Sequence, residues 1–233
     1  MPLIVIGGIR CGTGAVSHFF RQTLESGRWL GDESVISPDL IERLKSGEII
    51  GFKNAKFIYD PELMVAFRGL PNLVFVVVVR DEADRLTSHL ASKIDLSVYQ
   101  DGYEAFEKNR SVLSSLHKFE VNGDRIAVLK DVIPEAEVVV LEYERLRDPE
   151  TLDILWRLSV RFGAGGIWAD RVGSLKQVKP KRVSILNHLP KKIRLRILRY
   201  SPNFLAIWLA NLASPTLRSR ERELYSCIQR LLG

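Results

Sequence analysis

With 233 residues, 46% of them apolar and 27% charged, the chain is long enough to bury one sizeable core without disulfides or metal. No apolar run approaches the roughly 18 residues of a membrane span. Cys11 and Cys227, at opposite ends of the chain, make neither a disulfide framework nor a metal-ligand spacing. The net charge of +6 is local: from Arg171 to Arg220 there are 12 Lys and Arg and no Asp or Glu, whereas the rest carries 22 basic against 28 acidic residues. Such a patch points to an anionic partner or surface rather than to general nucleic-acid coating. Met1-Pro2 and the brief apolar run after it do not read as a signal peptide, so a cytoplasmic, reducing setting is expected.

In chain order, Leu3–Ile6 reads as a buried strand, Gly7–Gly14 as a loop, and Thr13–Ser26 as a helix closed by Gly27. Residues 28–38 look irregular. Pro38–Lys45 reads as a short helix ending near Gly47, and Ile49–Lys53 as a second strand. Pro61 opens a helix that stops near Gly69 and Pro71. Leu73–Val79 is a seven-residue apolar run rich in β-branched residues, the pattern of a central parallel strand buried on both faces. Helix resumes over 82–92, helical stretches fill Tyr103–Leu129, Val138–Leu141 is another buried strand, and Pro149–Phe162 is helical. Strands alternating with helices predict a doubly wound α/β sheet. After Gly163 the pattern changes to a basic loop over 171–187, then to two or three short helices punctuated by Pro190, Pro202 and Pro215. An α/β domain over 1–187 and a basic helical subdomain over 188–233 packed on it are therefore expected.

The passage from strand to helix at Gly7-Gly8-Ile9-Arg10-Cys11-Gly12-Thr13-Gly14 has the makings of an anion site. Backbone N–H groups and a positive helix end converge there, and glycines let a ligand come close to the backbone. The nucleotide-hydrolase pattern G-x-x-x-x-G-K-[ST] fails, because Thr13 stands where lysine is required. The dinucleotide pattern fails too, and Val79 is followed by Arg80 rather than by an aspartate for magnesium. The loop's own cation is Arg10. A second anion-binding group stands at the end of the Val-rich strand, where open parallel sheets bind ligands. Arg80 is a planar charged fork, and Ser88, about two helical turns on, offers a hydroxyl. Two anion sites at two strand ends imply a ligand with two separate anionic groups. Arg85 reads as part of a solvated helix face. His18 reads as packing or capping, His89 as facing away from Ser88, His117 as an ordinary mid-helix residue, and His188 carries no signal.

Residues 3–20 resemble the 5′-phosphosulfate loop of sulfotransferases that use 3′-phosphoadenosine 5′-phosphosulfate (PAPS). Residues 74–90 resemble their 3′-phosphate motif, strand–Arg-Asp-Pro-x-x-Arg-x-x-Ser. "GFKNAKFIYDPEL" (51–63) is similar to the family's lysine segment, and "VVVLEYERLRDPETLDILWRLSVRFGA" (138–164) to its Tyr-Glu-Asp-Leu strand and helix. The matches run in family order from residue 3 to residue 164. Three departures stand out: Gly14 replaces Ser or Thr, Glu82 replaces Pro, and Arg145 replaces Asp.

The resemblance implies a P-loop-like three-layer fold with a small helical C-terminal extension, and metal-independent sulfuryl transfer from PAPS to a hydroxyl or amine. It places cofactor contacts on Arg10, Cys11, Gly12, Thr13, Gly14 and Ala15 at the 5′ end and on Arg80 and Ser88 at the 3′ end. One or two cations of the basic loop, Lys179 and Arg182, would close over the nucleotide. Lys53 would stabilise charge on the bridging oxygen, with Lys56 the nearby competitor. A carboxylate in "RWLGDESVI" (28–36) would take the acceptor's proton, Glu33 before Asp32. The product would be 3′-phosphoadenosine 5′-phosphate, and the acceptor a carbohydrate or a lipid-linked sugar. Residues 191–212, which interleave basic and apolar positions, fit either a core-packing helix pair with a basic rim or peripheral contact with an anionic membrane. The alternatives are a non-catalytic protein of the same fold that binds anionic glycans or membranes, and a P-loop kinase or hydrolase, which the missing lysine argues against.

Overall fold

The structure, a computed structural model, describes residues 1–32, 35–55, 57–112, 123–164 and 215–232. The chain divides into two units, Met1–Asp81 with Phe119–Val178 and Glu82–Lys118 with Lys179–Gly233. The boundary expected at 187/188, the basic loop and the segment 191–212 lie outside the described residues.

The first unit is built on five parallel strands, β1 (Leu3–Gly7), β2 (Trp29–Asp32), β3 (Gly51–Asn54), β4 (Val74–Val79) and β5 (Glu137–Glu142), in the order β2-β3-β1-β4-β5. The α/β class with a central parallel sheet is therefore as expected. Side chains alternate across the pleat, so each inner strand feeds two cores. Leu3, Val5, Val74, Val76 and Val78 enter one core, with residues of α1 (Thr13–Thr23) and α7 (Pro149–Arg161). Ile4, Ile6, Phe52, Phe75 and Val77 enter the other, with residues of α2 (Pro38–Ser46), α3 (Pro61–Met64) and α6 (Gly123–Val132). Burial on both faces explains why β1 and β4 read as continuous apolar runs rather than as alternating ones.

The stretch 28–38, expected to be irregular, contains β2. This edge strand is only four residues long and includes Gly31 at φ 89°, so it has no propensity signal of its own. It is fixed from outside: the Trp29 indole N–H donates to Ser17 Oγ at 3.0 Å, and its ring lies 5.4 Å from that of Phe20. Helix α2 follows its sequence signals, with the Ser37 side chain capping Leu40 N–H and Gly47 closing the end in the left-handed region. Helix α3 is a single turn followed by a 3₁₀ turn over Val65–Phe67, shorter than Pro61 suggested.

In the second unit, α8 (Pro215–Leu232) packs on α4 (Glu82–Lys93) and α5 (Gly102–Lys108). Gly102 sits against the α8 backbone so closely that a Cβ would lie 2.4 Å from the Arg220 carbonyl oxygen, and its N–H donates to Glu223 at 2.8 Å. Helix α8 runs for 18 residues, where short helices were expected. No helix among the described residues is long and apolar enough to cross a membrane.

Two expectations about side-chain exposure are corrected. His18 is exposed on α1, where a packing or capping role was expected. Arg85 is not on a solvated face: it is 1% exposed, and its Nε and Nη2 donate to both oxygens of Glu82, each at 2.6 Å. The departure at position 82 thus supplies the counter-charge for a buried arginine one turn later. Glu82→Ala is expected to cost about 2 kcal/mol of stability, the loss of two hydrogen bonds to a charged, desolvated group. Urea denaturation of the variant checks this, and Glu82→Gln should recover part of the loss.

Candidate functional site

The candidate site lies at the carboxyl ends of β1, β3 and β4 in the first unit. β1 runs into the loop that starts α1. Gly12 is the helix N-cap, at φ 90° and ψ 10°, with no side-chain cap, and its carbonyl accepts from Ala15 N–H at 2.9 Å. The helix's first N–H groups lack partners within the helix. Among the described residues, the N–H groups of Gly12, Thr13 and Gly14 find no acceptor. Arg10 adds a guanidinium that makes no hydrogen bond or ion pair with any described residue. The loop therefore presents three open backbone donors at a positive helix end, where an anion such as a phosphate can be held, and an uncommitted cation two residues before the helix N-cap.

Two members of the expected contact set are otherwise engaged. Cys11 N–H donates to the Gly8 carbonyl at 3.1 Å, and the Cys11 side chain is fully buried in the core. Ala15 N–H is taken up by the Gly12 carbonyl. Cys11 and Ala15 thus shape the loop, while Arg10, Gly12, Thr13 and Gly14 hold its open donors. Thr13 is buried, with its methyl packed over Gly7, where an added Cβ would lie 2.8 Å from it. Gly14 is exposed, and a Cβ there would meet nothing within 4 Å.

Lys53 stands on β3 in register with Val5 of β1. Its neighbour Phe52 is fully buried in one core, so Lys53 projects from the opposite face of the sheet. Its Nζ is 2.5 Å from Asp32 Oδ1 at the end of β2, with side-chain exposures of 14% for the lysine and 76% for the aspartate. A nearly buried amine is thus held by a carboxylate that stands in water. Glu33 and Lys56 lie outside the described residues, as do Lys179, Arg182, His117 and His188.

Arg80 follows β4. Its Nη1 donates to the Arg10 carbonyl at 3.1 Å, its Cζ lies 4.2 Å from the centre of the Tyr143 ring, and its Nε is 3.9 Å from Glu144. Arg80 and the phosphate-type loop are thereby joined within one unit. Ser88 belongs to the second unit, half-buried on α4, where its hydroxyl makes no hydrogen bond with a described residue. His89 beside it is buried.

The chain is similar in fold to a solved bacterial sulfotransferase. That structure, the sulfotransferase from Alicyclobacillus acidocaldarius, shares 12% identity over 84% of this chain and 99% of its own, with a TM-score of 0.49. No protein-family model and no curated protein sequence matches the chain. A likeness of that size carries no functional argument, which rests instead on the donors of the loop and the cations around it.

Two tyrosines of the quoted segments, to which the sequence assigned no role, support the loop. Tyr143 presses its ring edge on Gly12, and the Tyr59 hydroxyl accepts Ile9 N–H at 2.9 Å. Each carries an arginine on its face, Arg80 on Tyr143 and Arg125 on Tyr59, the latter with its Cζ 5.3 Å from the ring centre. The available signal was a tyrosine directly after an apolar strand: Tyr143 follows β5 as Arg80 follows β4, although in β5, expected to be buried, only Leu141 is.

Proposed function

We propose that this protein is a sulfotransferase that moves the sulfuryl group of PAPS to a hydroxyl or amine of a carbohydrate or lipid-linked acceptor, without a metal. The observation that carries the reading is the loop's unused donor set: the N–H groups of Gly12, Thr13 and Gly14 at a helix start, with the Arg10 guanidinium uncommitted on the same loop. The sequence adds a second argument, since the lysine that would tend the terminal phosphates of ATP is replaced by Thr13.

Bound PAPS supplies an activated sulfur whose leaving oxygen already belongs to a phosphate. The chain's task is then positioning and charge neutralisation. Arg10 and the N–H groups of Gly12, Thr13 and Gly14 hold the 5′-phosphate, and Arg80 takes the 3′-phosphate. Lys53 places a positive charge beside the oxygen on which negative charge grows. Asp32 orients the Lys53 amine through their 2.5 Å pair. Glu33, next in the chain, accepts the proton that leaves the acceptor. One S–O bond to the phosphate breaks, one S–O or S–N bond to the acceptor forms, and the acceptor's proton passes to the carboxylate. The basic segment 191–212 suits an acceptor at an anionic membrane surface, and the setting is cytoplasmic.

A non-catalytic binder of anionic glycans remains the second reading, favoured by the bare Gly14. Gly14→Ser separates the two. The site has room for the side chain, and a hydroxyl there would add one hydrogen bond to the 5′-phosphate. A roughly fivefold gain in affinity for 3′-phosphoadenosine 5′-phosphate is expected, about the value of one hydrogen bond.

The direct test is calorimetric titration of the bisphosphate without magnesium, beside ATP. Binding much tighter than that of ATP, lost in Arg10→Ala, supports the reading. No binding by the wild-type protein overturns it.

A further inference from the structure

Arg80 does more in this fold than wait for a ligand. The loop holds two residues in the left-handed region, Arg10 at φ 70° and Gly12 at φ 90°. Glycine adopts that conformation freely, whereas an arginine there is strained and must be held by its surroundings. The Arg10 carbonyl accepts a charge-assisted hydrogen bond from Arg80 Nη1 at 3.1 Å. Arg80 is itself held over the Tyr143 ring, its Cζ 4.2 Å from the ring centre. The edge of that ring closes on Gly12, where a Cβ would lie 2.5 Å from Tyr143 Cδ2. The contacts form a closed circuit: Arg80 to the Arg10 carbonyl, Arg80 to Tyr143, Tyr143 to Gly12, and Gly12 back to Arg10 through Cys11. On the other side, the Tyr59 hydroxyl pins Ile9 N–H at 2.9 Å. The uncommitted donors of residues 12–14 begin where this circuit ends.

We propose that Arg80, acting through the Arg10 carbonyl and the Tyr143 ring, is a positioning residue for the 5′-anion loop. This rests on the reading of that loop as the 5′-phosphate site. Its consequence is that Arg80 governs the binding of ligands that carry no 3′-phosphate. A residue that only contacts the 3′-phosphate has no such reach.

The experiment compares wild type, Arg80→Ala, Tyr143→Leu and Tyr143→Phe in two measurements. Calorimetry is run with 3′-phosphoadenosine 5′-phosphate and with adenosine 5′-phosphate. Amide hydrogen exchange is followed over residues 8–14 without ligand. Arg80→Ala is expected to weaken both nucleotides, the monophosphate by about tenfold, since a charge-assisted hydrogen bond and its ordering of the loop are lost. Tyr143→Leu should weaken the monophosphate similarly and Tyr143→Phe hardly at all, because the ring and not the hydroxyl makes these contacts. Exchange over 8–14 should quicken in Arg80→Ala and Tyr143→Leu alone.

Loss of bisphosphate affinity in Arg80→Ala, with monophosphate binding and loop exchange unchanged, would overturn the proposal and leave Arg80 a simple 3′-phosphate contact. If wild type binds neither nucleotide, the functional reading fails, but the exchange comparison still decides the brace: quickened exchange upholds it and unchanged exchange sinks it. Should Arg80→Ala not fold, the two Tyr143 variants decide in the same way.

Discussion

Gly12→Ala is expected to lower stability by about 3 kcal/mol and to abolish nucleotide binding at concentrations that saturate the wild type. Two costs add. Alanine must adopt the left-handed conformation that Gly12 holds at φ 90°, at about 1–2 kcal/mol. Its Cβ must also displace the Tyr143 ring, whose Cδ2 lies 2.5 Å from the ideal position, and overpacking of this kind costs about 1–3 kcal/mol. The ring has little room to retreat, since Arg80 lies on its face. Relief by reshaping the loop would turn away the N–H groups of Gly12, Thr13 and Gly14. Denaturant unfolding and calorimetry on the same preparation check the two parts. Gly14→Ala is the matched control: nothing lies within 4 Å of the added methyl, so stability and binding should be close to wild type. A fully stable, nucleotide-binding Gly12→Ala would show that the loop does not work as described.

Lys53→Ala is expected to lower turnover by about 10²–10³ while leaving affinity for 3′-phosphoadenosine 5′-phosphate within about threefold, the pattern of lost electrostatic stabilisation confined to the transition state. Stability should change little. The partner carboxylate of Asp32 is 76% exposed, so removing the lysine leaves a charge in water rather than buried and unpaired. Loss of rate without loss of fold or binding is what separates an enzyme from a binder. It is read by following conversion of PAPS to the bisphosphate with a panel of hydroxylated and aminated acceptors. Asp32→Asn should give an intermediate loss, because Lys53 remains but is no longer held by a charge. If Lys53→Ala matches wild type in turnover, the lysine is a structural residue at a strand end.

Much of the fold was written locally. The Val-rich run became β4, Ser37 and Gly47 capped α2 at the places their chemistry favours, and the glycines of residues 7–14 marked the loop. The parts that escaped are those fixed by distant residues. β2 is a strand because Trp29 docks on Phe20 and Ser17 and because β3 pairs with it, and neither cause is visible in Trp29–Asp32 itself. Arg85 read as surface because a charged residue on an amphipathic helix normally faces water. Its burial depends on Glu82 three positions earlier, a spacing that was legible as a pair but not as a buried one. In the site, the cations and glycines were legible as residue types. The circuit that joins Arg10 to Arg80 spans 70 positions and runs through an aromatic ring on a third strand end, so only the fold brings it together.

If the open donors of Gly12, Thr13 and Gly14 hold a 5′-phosphate, their amide resonances report on it directly. Proton–nitrogen correlation spectra would be recorded while 3′-phosphoadenosine 5′-phosphate is added without metal. Large downfield shifts of the Gly12, Thr13 and Gly14 amide protons, saturating together, are expected, while Cys11 and Ala15, whose N–H groups are engaged within the protein, move little. Binding that leaves these three resonances in place, or shifts confined to other parts of the chain, would contradict a 5′-phosphate held there.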